Sequence, residues 1–142
     1  MRPHRSVFQD ETKLDINYVP SRLLHRETQL NFLNQFFRFA TESPGKMSQR
    51  VLIVGKIGTG KTVLSQHFGL NITAEAQKRG INLHYVHVNC RECKGSLFMI
   101  LQQTILRFIP HFPKRGYSEA ELLQALMQIL DERNAYLILA MD

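Results

Sequence analysis

Apolar residues recur along this chain with two periods, and together they predict strands that alternate with helices. Three short apolar runs are typical of buried strands, at residues 50–54, 83–89 and 135–141. Four longer stretches carry apolar residues at helical spacing and predict helices that begin near residues 26, 61, 96 and 118. Strands that alternate with helices of this length favour an α/β fold with a parallel sheet.

Glycine, proline and polar residues mark the ends of the predicted helices. The first stops at Ser43-Pro44-Gly45, the second at Lys78-Arg79-Gly80 and the third at Pro110. Ser118 and Glu121 form a capping box that begins the fourth helix. The apolar stripe of the first helix comprises Leu30, Leu33, Phe36, Phe37 and Ala40. For the fourth helix we predict a core face made of Leu123, Leu126, Met127 and Leu130.

Between the first predicted strand and the second helix, residues 55–62 read GKIGTGKT. They match the G-x-x-x-x-G-K-[ST] phosphate-binding loop at every fixed position, in the strand–loop–helix context that the motif needs. Gly55, Gly58 and Gly60 allow backbone conformations closed to side chains, so N–H groups can turn inward around an anion. The N-terminus of the following helix adds its unpaired N–H groups and the positive end of its dipole. These residues therefore predict a site for the phosphates of a nucleotide.

Three side chains have predicted roles at this site. Lys61 would supply a positive charge to the β- and γ-phosphates, and the Thr62 hydroxyl would ligate Mg²⁺. Asp142 follows the last apolar run, as the acid of a Walker B element does, and would orient Mg²⁺ and its water shell. Lys61 and Asp142 are thus the predicted catalytic residues, and Thr62 and Asp142 the predicted metal site. The other predicted contacts of the loop with nucleotide are Gly55, Gly58, Thr59, Gly60 and Val63.

Composition narrows the class of protein. The 142 residues suffice for one ordinary domain, and 44% hydrophobic with 21% charged residues is typical of a globular chain. No run approaches the roughly 20 apolar residues of a membrane span, so we expect an intracellular protein. Eighteen Lys and Arg against 12 Asp and Glu give a net charge of +6. Because the basic residues are scattered, both a nucleic-acid surface and an ordinary solvated surface stay open.

Cys90 and Cys93 form a single C-x-x-C after the second predicted strand. A structural zinc site needs four ligands, and the alternation of a strand sends His84 and His87 to opposite faces. We therefore expect two reduced thiols at a strand end rather than a zinc site or a redox pair.

The chain resembles the archaeal replication initiators of the AAA+ class, which are related to the eukaryotic origin-recognition and cell-division-control proteins. The resemblance covers most of the chain. The motifs that carry it are residues 7–11 with Leu14, 18–27 (YVPSRLLHRE), 58–62, 85–91 (YVHVNCR) and 139–142 (LAMD).

This resemblance implies a P-loop NTPase fold of AAA+ type, with a lead-in at residues 1–19 and the N-terminal part of the ATPase domain at 20–142. It implies that ATP or ADP binds with Mg²⁺, with the adenine near Val19, Pro20 and Arg26. From the residues alone, a turn at the domain edge explains Val19 and Pro20 equally well, and Arg26 fits a surface or capping residue. The family further implies a cytoplasmic, nucleoid-associated protein that binds origin DNA, recruits the replicative helicase and assembles with itself or with related initiators.

The resemblance also implies a five-stranded parallel sheet, of which residues 1–142 supply strands one to three. The fourth strand of that sheet lies between the phosphate-loop strand and the strand that ends in Asp142. We therefore expect a fragment of a longer chain with an open slot in its sheet and exposed strand edges. The acid that polarises the attacking water, the sensor, the arginine finger, the lid and the winged helix would lie after Asp142. ATP hydrolysis is accordingly expected of the longer protein, and only weak nucleotide binding of these residues alone.

Two other classes of P-loop protein remain as alternatives. In a small-molecule kinase or metabolic NTPase, Lys61 would assist phosphoryl transfer, and the Walker B strand would lie directly beside the phosphate-loop strand. In a signalling or defence ATPase, the bound nucleotide would act as an assembly switch. The neighbours of the strand that ends in Asp142 distinguish the first alternative from an initiator.

Overall fold

The computed structural model of the protein describes residues 10, 18–20 and 23–142. Most of the predicted lead-in, and residues 7–9, 11, 14 and 21–22 of the resemblance, lie outside the described residues. The described residues form five helices and two strands. In chain order these are α1 (Glu27–Phe36), α2 (Arg38–Glu42), α3 (Lys61–Lys78), β1 (Leu83–Val88), α4 (Leu97–Phe108), α5 (Glu119–Glu132) and β2 (Tyr136–Met141).

The two strands pair in parallel, with Leu83 opposite Tyr136 and Val88 opposite Met141. A parallel pair needs a crossover connection, and here α4 and α5 provide it. Both strands therefore end at the same edge of the sheet, close to Asp142.

Helices cover both faces of this small sheet, which confirms the predicted α/β class. Leu83 and Tyr85 of β1 pack with α1 and α3, whereas Val86 and Val88 pack with α4 and α5. The alternation of side chains along β1 thus divides the apolar residues into two cores. The buried residues of the first core are Leu30, Leu33, Leu64, Phe68, Ile72, Ala76 and Leu83. Those of the second are Val86, Val88, Cys93, Ile100, Leu101, Ile105, Phe108, Leu122, Leu126 and Ile129.

Most helix ends lie where the local signals predict them. The α3 helix ends at Lys78, Ser96 caps α4 by accepting the Met99 N–H, and Ser118 and Glu121 make a complete capping box. The first predicted helix is instead interrupted at Phe37, which separates α1 from α2. The Phe37 ring packs on Phe68 of α3, with 5.3 Å between ring centroids, so the interruption lies where the chain crosses α3.

The predicted core face of α5 is right for Leu126 and Leu130, which lie in or against the second core, and wrong for Leu123 and Met127. Leu122, Leu126 and Ile129 are buried, whereas Leu123 and Met127 are 50% and 55% exposed. Two adjacent stripes of this helix are apolar, and spacing alone does not choose between them. Contacts with α4 decide, because they turn Leu122 and Leu126 into the second core.

The predicted strand at residues 50–54 is not a strand in the structure. Val51 and Ile53 pack against the first core, but Leu52 and Val54 are 85% and 78% exposed. A strand is defined by backbone pairing, and within the described part of the chain this segment makes no backbone hydrogen bond to β2. A groove lined by Val51, Ile53, Ile138 and Ala140, among others, separates the two. The sheet therefore contains two of the three expected strands.

Within the described residues, no helix combines the length and apolar character that a membrane crossing requires.

The packing of α3 on β1 depends on Gly69, because a Cβ there would lie 2.2 Å from Cδ1 of Tyr85. Gly69→Ala should destabilise the protein by roughly 1–3 kcal/mol through overpacking, although alanine favours helices by about 1 kcal/mol over glycine. Urea denaturation of the variant measures the loss, with the exposed Leu70→Ala on the same helix as control. A Gly69→Ala protein as stable as the wild type would show that this contact tolerates a methyl group.

The capping box of α5 should make stability depend on pH. The Ser118 N–H and hydroxyl donate to Glu121 Oε2 at 2.7 and 2.8 Å, and these bonds lower the pKa of Glu121 from its ordinary 4.5. The lowered pKa means that the ionised form stabilises the fold above pH 4.5 and that this contribution is lost as the pH falls through the folded pKa. Glu121→Gln should therefore be less stable than wild type at pH 7, with the difference shrinking below pH 4.5.

Thermal unfolding across pH 2.5–7 (roughly the range over which carboxylates titrate) measures this difference. Glu119→Gln is the matched control, since it removes a charge from the same first turn but no capping bond. A stability difference between Glu121→Gln and wild type that does not change with pH would contradict the assignment.

Candidate nucleotide-binding site

The loop at residues 55–60 joins the extended segment to α3, and its glycines serve two different purposes. Gly58 and Gly60 both have φ of +79°, a left-handed conformation that side chains disfavour. Gly55 does not share this conformation, which corrects the expectation made for it from sequence. A Cβ at Gly55 would instead lie 3.0 Å from Oγ1 of Thr59. A Cβ at Gly55 would therefore crowd the Thr59 side chain, which closes the loop by donating to the Lys56 carbonyl at 2.8 Å.

The first turn of α3 presents free backbone donors beside this loop. Gly60 is the N-cap and offers no side-chain cap, and the first bond of the helix joins the Leu64 N–H to the Gly60 carbonyl at 2.9 Å. The N–H groups of residues 61–63 therefore find no backbone acceptor among the described residues. Donors in this arrangement, at the positive end of a helix dipole, are suited to bind an anion.

The Lys61 side chain folds over the loop. Its Nζ donates to the carbonyls of Gly55 and Lys56 at 3.0 and 2.9 Å. An ammonium group has three donors, so one remains for an oxygen in the concavity. The Lys61 ammonium group is thus held against the phosphate loop, where the sequence predicts a positive charge for the phosphates.

Thr62 and Asp142 meet although 80 residues separate them, and the Thr62 hydroxyl donates to Asp142 Oδ2. The Asp142 N–H donates to the Val88 carbonyl at 3.0 Å, and its own carbonyl accepts from Cys90 N–H at 2.6 Å. The strand β1 thereby holds the residue that follows β2. A hydroxyl and a carboxylate oxygen are hard ligands, and two of them with coordinated waters suit Mg²⁺. The residues predicted for the metal are therefore together in the structure.

Three further side chains lie around Asp142, and the sequence does not predict them for this site. Tyr85 and Ser65 share a hydrogen bond of 2.6 Å between their hydroxyls. Burial raises the pKa of Tyr85; the Ser65 bond opposes that shift and the Asp142 charge adds to it. His87 Nε2 lies 3.5 Å from Asp142 Oδ2. Strand alternation places Tyr85 and His87 on one face, but their distance from Asp142 depends on the pairing of β1 with β2.

Of the three residues expected near the adenine, Arg26 contacts the phosphate loop, whereas within the described residues Val19 and Pro20 do not bond to it. Arg26 Nη2 donates to the Thr59 carbonyl at 2.5 Å, which joins the start of α1 to the phosphate loop. Val19 and Pro20 are half-buried, and no hydrogen bond among the described residues ties either of them to the loop. The structure thus brings Arg26 to the site and leaves the adenine role of Val19 and Pro20 a prediction.

The cysteine pair lies beyond the carboxyl end of β1. Cys93 is fully buried in the second core, and Cys90 is half-buried. Burial raises the pKa of the Cys93 thiol, with a smaller contribution from Cys90 and Glu92. His84 bonds Asn82 and packs on Phe108, so it points away from His87, as the strand alternation predicts.

Comparison with known proteins identifies relatives over almost the whole chain, although no protein-family model matches it. The chain is 36% identical to the ORC1-type DNA replication protein 2 of Sulfolobus acidocaldarius over 96% of its own length and 33% of the relative's. The Aeropyrum pernix ORC1 protein in complex with DNA superposes with a TM-score of 0.80 at 25% identity, covering 94% of this chain and 34% of that one. The Aeropyrum pernix ORC2 protein, in ADPNP–ADP complexes, superposes with a TM-score of 0.82 at 27% identity, covering 95% and 35%.

Over almost its whole length, the chain is similar to members of the archaeal Orc1/Cdc6 family. It spans about a third of the length of the curated relatives it matches. The resemblance drawn from the sequence motifs is therefore confirmed at the level of the family.

The contact between Arg26 and Thr59 leads to a test of the loop. Arg26→Ala should weaken binding of ADP about fivefold, because a hydrogen bond from a charged donor at an exposed position contributes on the order of 1 kcal/mol. Titration with a fluorescent ADP analogue measures the change. Arg38→Ala on α2, which removes an exposed pair with Glu42, is the control and should leave the affinity unchanged. Equal affinities of Arg26→Ala and wild type would show that the contact does not support the loop.

Proposed function

We propose that residues 20–142 are the ATP-binding part of a DNA replication initiator ATPase. The observation that carries the proposal is the approach of Thr62 to Asp142 beside a loop with unpaired N–H donors. A phosphate loop by itself is common to many ATPases and kinases. An oxygen pair that meets across the start of α3 and the end of β2 adds the second half of a magnesium nucleotide site.

Each residue of the site has a distinct part in binding. The N–H groups of residues 61–63 and the inward backbone of Gly58 and Gly60 would hold the β-phosphate. Lys61 would turn its remaining donor to the β- and γ-phosphates, and Arg26 would keep the loop against α1. Thr62 and Asp142 would hold Mg²⁺, which when bound neutralises phosphate charge. We further propose that Val19 and Pro20 lie against the adenine.

The relatives support a replication function. One solved relative is described in complex with DNA and another in ADPNP–ADP complexes. We infer that the longer protein containing this chain binds origin DNA, recruits the replicative helicase, hydrolyses ATP and assembles with itself or related initiators. These activities, and a cytoplasmic, nucleoid-associated location, are proposals that rest on the family.

The position of β2 bears on the alternative reading as a kinase or metabolic NTPase. That alternative puts the Walker B strand directly beside the phosphate-loop strand. In the described part of the chain, β2 pairs with β1, and a groove separates it from residues 50–54. We propose that a further strand of the longer protein fills this groove, as in the AAA+ arrangement. The groove does not distinguish a replication initiator from the other alternative, a signalling or defence ATPase.

Lys61 provides the direct test of nucleotide binding. Lys61→Ala should weaken ATP binding roughly 100-fold, since a charge-assisted hydrogen bond to phosphate contributes up to about 3 kcal/mol. Isothermal titration with ATP and Mg²⁺ measures the affinity. Lys56→Ala is the matched control, because it removes the same charge from an exposed position of the same loop. Wild-type affinity in Lys61→Ala would refute the assignment of the site.

A further inference from the structure

The Nε2 atom of His87 is buried and has no hydrogen-bond partner within the described part of the chain. The side chain as a whole is 21% exposed, but this nitrogen is not accessible to solvent. A buried polar atom without a partner costs about 1–3 kcal/mol, so a site that retains one usually has a use for it. Asp142 Oδ2 lies 3.5 Å from His87 Nε2, just beyond the length of a good hydrogen bond.

The surrounding backbone directs His87 at this carboxylate. His87 is paired with Ala140 in the parallel register, two residues before Asp142. The backbone of Asp142 is bonded to Val88 and Cys90, the residues on either side of Asn89. Tyr85, on the same face of β1, already has Ser65 as its partner, so it does not compete for Asp142 Oδ2. An adjustment of about half an ångström would bring Nε2 and Oδ2 to hydrogen-bonding distance.

We propose that His87 is a positioning residue that orients the Asp142 carboxylate for Mg²⁺. The inference rests on the proposed function and deepens it. A neutral imidazole that carries its proton on Nε2 donates to Oδ2 and limits rotation of the carboxylate. Thr62 donates to the same oxygen from α3, so one donor comes from the helix and the other from β1. Partners that bond a ligating carboxylate typically change metal affinity by 10–100-fold.

The test measures Mg²⁺ and nucleotide separately in the full chain. A fluorescent ADP analogue is titrated first in EDTA and then at increasing free Mg²⁺. His87→Phe keeps a ring of similar size but has no donor. It should bind the analogue normally in EDTA, but it should require about tenfold more free Mg²⁺ than wild type before Mg²⁺ tightens the binding. His87→Gln, whose amide reaches a similar point, should restore the Mg²⁺ requirement to near the wild-type value.

Two controls separate positioning from a general structural role. His84→Phe changes a histidine on the same strand whose ring faces Phe108, and should behave as wild type. Asp142→Ala removes the acceptor, so adding His87→Phe to it should cause no further change if His87 acts through Asp142. If His87→Phe fails to fold, His87→Asn replaces it, because its shorter amide does not reach Oδ2.

The outcomes are distinct. An unchanged Mg²⁺ requirement in His87→Phe, or an equal loss of affinity in EDTA and in Mg²⁺, overturns the positioning role and leaves the proposed function standing. A wild-type protein that binds no nucleotide overturns the proposed function, and this inference with it. An additive effect of His87→Phe and Asp142→Ala shows that His87 acts independently of the carboxylate and also overturns the proposal.

Discussion

The parallel register of β1 and β2 is the constraint on which the candidate site depends. Six residue pairs fix it, and the backbone bonds of Asp142 to Val88 and Cys90 extend it one residue past the end of β2. A slip of one residue would move Asp142 by about 3.3 Å and reverse the face of each side chain of β2. Thr62 could then no longer donate to the Asp142 carboxylate. The distant parts of the phosphate site meet because the strands meet in this register.

The packing of α3 is the other half of the same constraint. Thr62 is in its first turn, and the position of that turn depends on how closely the helix approaches β1. Gly69 permits the Tyr85 ring to lie directly against the helix backbone. Ser65 then bonds the Tyr85 hydroxyl one turn nearer the loop. The helix and the strand are thus held together along the face that leads to Asp142. Gly69 and Ser65 therefore help to position the site, although neither is predicted to contact nucleotide.

Local chemistry explains what could be predicted from the sequence. The phosphate loop is contiguous, the capping box of α5 is set by Ser118 and Glu121, and the alternation of β1 assigns His84 and His87 to opposite faces. Asp142 was placed beside Thr62 because parallel strands and a helix N-terminus meet at one edge. Each of these signals lies within one element or in the general geometry of α/β folds.

Contacts between elements decided the rest. Spacing allowed two apolar faces on α5, and only α4 determines that Leu122 rather than Leu123 is buried. An apolar run at residues 50–54 has strand composition, yet pairing depends on a neighbour that composition does not reveal. Gly55 occupies a fixed position of the motif, but only the structure shows that a side chain there would crowd the hydroxyl of Thr59. Strand alternation assigns His87 to a face of β1, but its position beside Asp142 follows only from the register of β2 against β1. The orientation of a metal-site carboxylate is therefore a property of the paired strands, which no single motif in the chain encodes.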